Sequence, residues 1–319
     1  AVAASRAVDA AREPFDDADL LAELAEALWS EGHVIRSLSV YDRLLALRPN
    51  DDELRARRER AVGTAMFLLD GWDHVCADAI APVSPVARRI LWLTAGAFPY
   101  TRSPTDIDRH ARARRLLSAG WRPTVVTLLP QPWNLDVADV ALSEEIDGVE
   151  YLRLLPLGPI DGSAGEVLRE NGRALSDAVP LIRPAVIHAE NDVMAAVVGT
   201  ALGRALNCPV VWEVGSLPHV AWLGADASRS PSRQYYRLWR QTIQQCLGDA
   251  NLVVAGSPAV YQQVIDHGAS PSAVRCFADD GGAATAAGHE PWLALYRELT
   301  ASPVRGTESA LPAVAGITA

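Results

Sequence analysis

Two carboxylates stand where this chain is best placed to do chemistry. Glu190 closes the apolar run Ala185-Val186-Ile187-His188-Ala189, and Glu213 closes Pro209-Val210-Val211-Trp212. Short Val-rich runs of this kind read as strands of a parallel sheet covered on both faces, and open α/β sheets bind ligands beyond the carboxyl ends of their strands. Glu190 could therefore act as a general base or accept a hydrogen bond from a ligand hydroxyl. With Glu213 at a neighbouring strand end, the two could form a paired acid/base site. The plainer alternatives are that Glu190 complements the dipole of a helix beginning near Asp192, and that Glu213 contacts a neighbouring loop. His188 lies on the same strand end. His110 lies early in a helix on the loop side, as a ligand contact or a surface histidine. Arg112, Arg114 and Arg115 follow, as a solvated face, as partners for carboxylates, or near enough to the ligand edge to meet a phosphate.

Composition removes several chemistries. All 29 basic residues are Arg, so no lysine exists for a Schiff base or a P-loop. Cys76, Cys208, Cys246 and Cys276 make neither a CxxC pair nor a zinc spacing. They are expected to be reduced and mostly buried, in a cytoplasmic protein. No GxGxxG, HExxH or nucleophile elbow occurs, and no metal or cofactor is expected. A net charge of −10 argues against nucleic acid as a partner. No run of 18 apolar residues occurs, so no transmembrane helix is expected, and the opening AVAASRAVDAAREP has no apolar signal core.

The elements that must position these residues follow one rhythm. Ile90 to Thr94 reads as a strand, Ala95 to Thr105 as a turn-rich loop, Asp106 to Ala119 as an amphipathic helix stopped at Gly120, and Thr124 to Leu129 as the next strand. Further strands are expected over 149–154, 185–189, 209–214, 252–256 and 274–278. Helices are expected over 165–179, 192–206, 232–248 and 258–267, each stopped near a Pro, Asn or Gly. The fold class is α/β, a Rossmann-like doubly wound parallel sheet. Between the expected strand over 209–214 and the helix over 232–248, the aromatic segment 215–234 reads as a long loop, a lid or a protein interface.

The chain before this unit is of a different kind. Residues 18–51 place Leu21, Leu24, Ala25 and Leu28 on one helix face, Gly32 at a turn, and Ser37, Tyr41 and Leu44 on a second face. These offsets resemble a tetratricopeptide repeat. A lone repeat cannot bury its own apolar side, so it must dock on the next domain, on another copy or on further repeats. Residues 18–69 thus offer a docked cap or a surface for a protein partner or self-association. The expected division is a helical segment over 1–76, a linker over 77–88, the α/β domain over 89–280, and a linker, short helix and tail over 281–319.

Four motifs, in order, resemble the N-terminal half of a family-4-type, retaining GT-B glycosyltransferase. FPYTRSPTDIDRH is similar to the family loop of the form FPY…SGYxxRTH; PAVIHAENDVMAAVVGTALGR to its HAHSP segment; CPVVWEVGSL to P(V/F)VYEVRGL; and LGDANLVVAGSPAVYQQVIDHGASPSAV to the stretch before the domain junction. The resemblance implies a sugar or glycosylated acceptor as ligand and a nucleotide-sugar as donor substrate. It implies acceptor contacts at Ser103, Thr105, His110, His188, Gly215 and Ser216, with Glu190 and Glu213 as the acid/base candidates. The departures are specific. Pro104 stands for the family's Gly, Asp108 for its Arg, Glu190 for the second His of HAHS, and the Arg of EVRGL is lost. Only some forty residues follow Asp280, too few for a second Rossmann-like domain to hold the donor. The sequence alone therefore reads as an acceptor-side half, incomplete or degenerate as a transferase, with a non-catalytic, partner-binding pseudoenzyme as the alternative.

Overall fold

The protein is described by a computed structural model over residues 17–70, 80–135, 137, 139–157, 163–277 and 290–301. The expected lead-in, most of the 77–88 linker's first residues, the 281–289 linker and the tail lie outside these residues.

Three helices come first: α1 (Ala18–Ser30), α2 (Val34–Leu47) and α3 (Asp52–Asp70). Asp17 starts α1 by accepting from the Asp19 and Leu20 amides, and Gly32 makes the α1–α2 turn at φ +79°. Their shared core holds Leu21, Ala25, Tyr41, Leu44, Leu54 and Ala61.

The α/β unit then runs β1 (Arg89–Thr94), α4 (Pro104–Ser118), β2 (Arg122–Thr127), β3 (Ser143–Ile146), β4 (Val149–Arg153), α5 (Ala164–Ile182), β5 (Val186–Glu190), α6 (Val193–Leu206), β6 (Val210–Val214), α7 (Pro218–Gly224), α8 (Gln234–Asp249), β7 (Leu252–Ala255), α9 (Pro258–Asp266), β8 (Val274–Cys276) and α10 (Glu290–Ala301). The strands form one sheet in the order β3-β4-β2-β1-β5-β6-β7-β8, parallel except for β3 against β4. Central strands such as β5 and β7 are buried at every position, as helices on both faces require.

Each face has its own core. On one, α5, α6 and α8 cover the sheet together with Val34, Ala65, Phe67 and Leu68 of the N-terminal helices. Phe67 meets Trp239 edge-on at 5.8 Å, and the Thr242 hydroxyl donates to the Leu68 carbonyl at 3.2 Å. At the α3–α5 crossing, a Cβ on Gly63 would lie 2.2 Å from the Ser163 Cβ. Only the missing side chain permits that approach. Of the docking options open in the sequence, the α/β unit itself covers this apolar side. On the other face, α4 covers Trp92, Val125 and Tyr151, while Trp292, Leu295 and Tyr296 of α10 pack with Val186, Val211 and Val254.

Three local expectations are corrected. The sheet gains an antiparallel edge strand, β3, through a turn at Asp147 and Gly148, both at positive φ. The 215–234 segment is not a continuous loop, since α7 opens with Pro218 at its first turn. Helix α5 does not stop before Pro180 but runs to Ile182, ending at Arg183 in the left-handed conformation.

Candidate functional site

The site is built where β1, β5 and β6 end beneath the start of α4. The β5–β6 register sets Glu190 opposite Glu213, and the β1–β5 register sets Trp92 opposite His188. Pairing of parallel strands therefore brings the two carboxylates together, although 23 positions separate them.

Helix α4 is aimed at them by its own N-terminus. Ser103 caps it reciprocally with Asp106. The Ser103 amide donates to Asp106 Oδ2 at 2.9 Å, and the Asp106 amide donates to Ser103 Oγ at 3.2 Å. Pro104 sits in the first turn, where its missing N–H costs nothing. The buried stripe of α4 is Asp106, Arg109, Ala113 and Leu116, so its first half is charged and its second apolar. A Cβ on Gly96 would lie 2.1 Å from Asp106 Oδ1 and 2.6 Å from Arg109 NH2. The β1–α4 loop thus needs glycine to let these two side chains lie against it.

From that stripe, Arg109 NH2 donates to Asp106 Oδ1 at 2.9 Å and Arg109 Nε to Glu190 Oε2. Arg112 donates from NH2 to Glu190 Oε1 at 3.1 Å and from NH1 to Glu213 Oε2 at 2.9 Å, and its Nε lies 2.9 Å from Asp108 Oδ2. Its guanidinium carbon is 5.1 Å from the ring centres of both Trp92 and Trp292. His188, fully buried, stacks between Trp92 and Trp292. Its Nε2 meets Glu213 Oε2 at 3.2 Å and its Nδ1 meets the Tyr296 hydroxyl at 2.7 Å. An ionised carboxylate can only accept, so the proton on Nε2 points to Glu213.

The electrostatics follow. Burial alone would raise the Glu213 carboxyl, but Arg112 and then His188 outweigh it and hold it well below the usual carboxylate range. Burial also raises Asp106, and the Ser103 hydroxyl and amide, with Arg109, bring it down overall. Arg112 is lowered by burial and raised more by Glu213, Glu190 and Asp108. Burial pushes the Tyr296 phenol up, so it stays protonated. Both Glu190 oxygens are engaged and its side chain is 1% exposed. Glu213 is 15% exposed, and its bonds fall on Oε2. Among the described residues, no hydrogen bond falls on Glu213 Oε1.

The sequence candidates divide accordingly. Glu190, Glu213 and His188 converge. His110 does not join them: it stacks on Phe98 at 4.7 Å and links the Tyr151 hydroxyl (2.8 Å) to Asp147 (3.1 Å) at the β3–β4 turn. Ser103 is spent on capping, Thr105 is exposed in the first turn of α4, and Gly215 and Ser216 are exposed after β6. Arg109, Asp106, Trp292 and Tyr296 also belong to the cluster, and the sequence reading does not single them out as site residues. A charged residue continuing an apolar helical stripe was the signal for the first two. Among the described residues, no group of three or more His, Cys, Asp or Glu could hold a metal ion, and no helix is long and apolar enough to cross a membrane.

Comparison with known proteins adds the following. A chain of sucrose-phosphate synthase from Thermosynechococcus elongatus is similar at 18% identity and a TM-score of 0.44, covering 66% of this chain and 98% of that one. Anabaena HepE in complex with UDP and glucose is similar at 18% identity and a TM-score of 0.39; 60% of this chain is covered, and it spans 44% of HepE's length. A mutant O-GlcNAc transferase from Thermobaculum terrenum is similar at 12% identity and a TM-score of 0.25, covering 82% of this chain and 61% of that one. No curated protein matches the sequence. The family model described as "Glycosyl transferase 4-like domain" matches residues 109–278, from the arginine that holds Glu190 to just beyond β8. With more than half its residues so matched, the chain belongs to the glycosyl transferase 4-like domain family.

Proposed function

We propose that this chain is the acceptor-side half of a sugar-transferring enzyme. In this reading the carboxyl edge of the sheet orients an acceptor sugar, and a nucleotide-sugar donor is held by a second domain, supplied beyond these residues or by a partner. The carrying observation is the convergence of Arg109, Arg112, His188, Glu190 and Glu213, in which Glu213 bonds through Oε2 and its side chain stays 15% exposed. A carboxylate held well below its usual range is a weak base, so Glu213 serves as a hydrogen-bond acceptor for a sugar hydroxyl rather than as a general base. Glu190, enclosed by two guanidiniums, anchors the arginines. Ser103 positions α4, and His110 steadies the β3–β4 turn. Transfer also needs charge stabilisation at the departing diphosphate, which this cluster, neutralised within itself, does not offer.

The test is a titration of the chain with UDP-, GDP- and dTDP-sugars and with free UDP and GDP, by calorimetry and thermal shift. No binding up to millimolar concentration is expected. Micromolar binding of any donor would mean that this half carries a donor site and that the division of labour is wrong. The N-terminal helices are proposed as an added partner or self-association surface, because Leu20, Ile35 and Leu47 remain 49%, 46% and 40% exposed. Sedimentation of the wild type against Leu20→Ser/Ile35→Ser reads this directly; identical profiles under all concentrations, with no captured partner, would contradict it.

A further inference from the structure

The opposite edge of the sheet holds a second feature, independent of the site above. A groove of about 750 Å³ opens where the parallel strands begin. Arg88, Trp121, Ala185 and Pro209 line it, and each is the residue immediately before a strand: β1, β2, β5 and β6. The last turns of α10 form another wall through Arg297 and Leu299. That volume lies within the range of small-molecule sites, about 300–1,000 Å³.

Its charge is one-sided. The walls are largely apolar, they include two arginines, and among the described residues no Asp or Glu lines them. In a chain with net charge −10 this is unexpected by composition. Neither Arg88 nor Arg297 has an ion-pair partner among the described residues. Arg88 is also held in the left-handed conformation, at φ +63°, which a non-glycine residue adopts only at a cost. In that pose its NH1 comes 3.2 Å from where a Cβ on Gly120 would be, and Gly120 is itself at φ +81°. Trp121, 3% exposed, underlies the same turn.

We propose that this amino-edge groove binds a small amphipathic anion, an aryl or alkyl carboxylate or sulfonate. Its apolar body would lie along Trp121, Ala185 and Leu299, and its anionic head would lie between Arg88 and Arg297. Guanidinium forks suit a planar oxyanion, and apolar walls raise the strength of the charge contact by excluding water.

The probe is 8-anilinonaphthalene-1-sulfonate, titrated by fluorescence into the full chain at pH 7. N-phenyl-1-naphthylamine, the same aromatic body without the sulfonate, serves as the uncharged control. One saturable site per chain is expected, with the sulfonate preferred. The double variant Arg88→Ser/Arg297→Ser should weaken the sulfonate by about tenfold or more and leave the uncharged probe unchanged. Ala185→Trp, with far-UV dichroism to verify folding, should weaken both by filling the groove. Dodecanoate should displace the sulfonate competitively. The proposal is overturned if binding does not saturate at one site, if the arginine variant binds the sulfonate as well as wild type, or if the uncharged probe binds equally tightly.

Discussion

At the carboxyl edge of the sheet, Arg109 and Arg112 are paired with Asp106, Asp108, Glu190 and Glu213; at the amino edge, Arg88 and Arg297 have no carboxylate partner among the described residues. The same residue type plays two physical parts within one sheet. Buried guanidiniums must be paired, because an unpaired charge out of water is costly, so their carboxylates become structural anchors. Arginines at the rim of an open groove remain hydrated and can exchange water for a ligand. Charge near a sheet edge therefore says little about function until its partners are known.

The largest effect should come from breaking the carboxyl-edge pairing. Arg112→Met leaves Glu190 and Glu213 short of their shared partner and should cost about 3–5 kcal/mol in urea unfolding. Arg88→Ser/Arg297→Ser should stay within about 0.5 kcal/mol of wild type in the same assay. Equal costs would erase the distinction between the two edges. A double-mutant cycle on Arg109→Met and Glu190→Leu sharpens it. The double variant should be more stable than the sum of the single losses implies, by about 1–3 kcal/mol.

Acid offers a smaller, graded test. Glu213 and Asp106 sit below their unfolded values in the folded protein, so their stabilisation is present above about pH 4.3 and is lost as pH falls further. His219 behaves differently. Burial first, then His267 and Arg240, lower it to about 4, while its Nε2 contacts His267 Nε2 at 2.6 Å. The unfolded chain takes up that proton near pH 6.5, so stability should already decline between pH 6.5 and 4, by about 2 kcal/mol. His219→Phe should flatten that first decline and leave the second. If the two declines merge, or the first survives the substitution, the histidine is not its source. Of comparable size, Gly63→Ala should lower stability by about 1–3 kcal/mol through its clash with Ser163.

Much of the architecture could be read from residue order. Strands β1, β5 and β6 announced themselves through short apolar runs closed by turn residues, whereas Ser103-Pro104, read as the end of a loop, caps and opens α4. The edge strand β3 escaped because SEEI is polar and lies half in solvent, yet Asp147-Gly148 is a strong hairpin turn signal. Within the site, Glu190 and Glu213 were visible as strand-end carboxylates. Their neutralisation was not, because it depends on the β5–β6 register and on which face of α4 turns inward. The contribution of Trp292 and Tyr296 lay further out of reach, since α10 returns to β5 from a hundred residues away.

The most direct test of the account is calorimetric titration of monosaccharides and short glycans into wild type and Glu213→Gln, with melting followed in parallel. The account expects saturable binding of at least one sugar, weakened about tenfold by Glu213→Gln. Arg88→Ser/Arg297→Ser should leave that binding unchanged. Sugar binding that survives Glu213→Gln undiminished, or that disappears with the amino-edge arginines instead, would contradict the placement of the acceptor at the carboxyl edge.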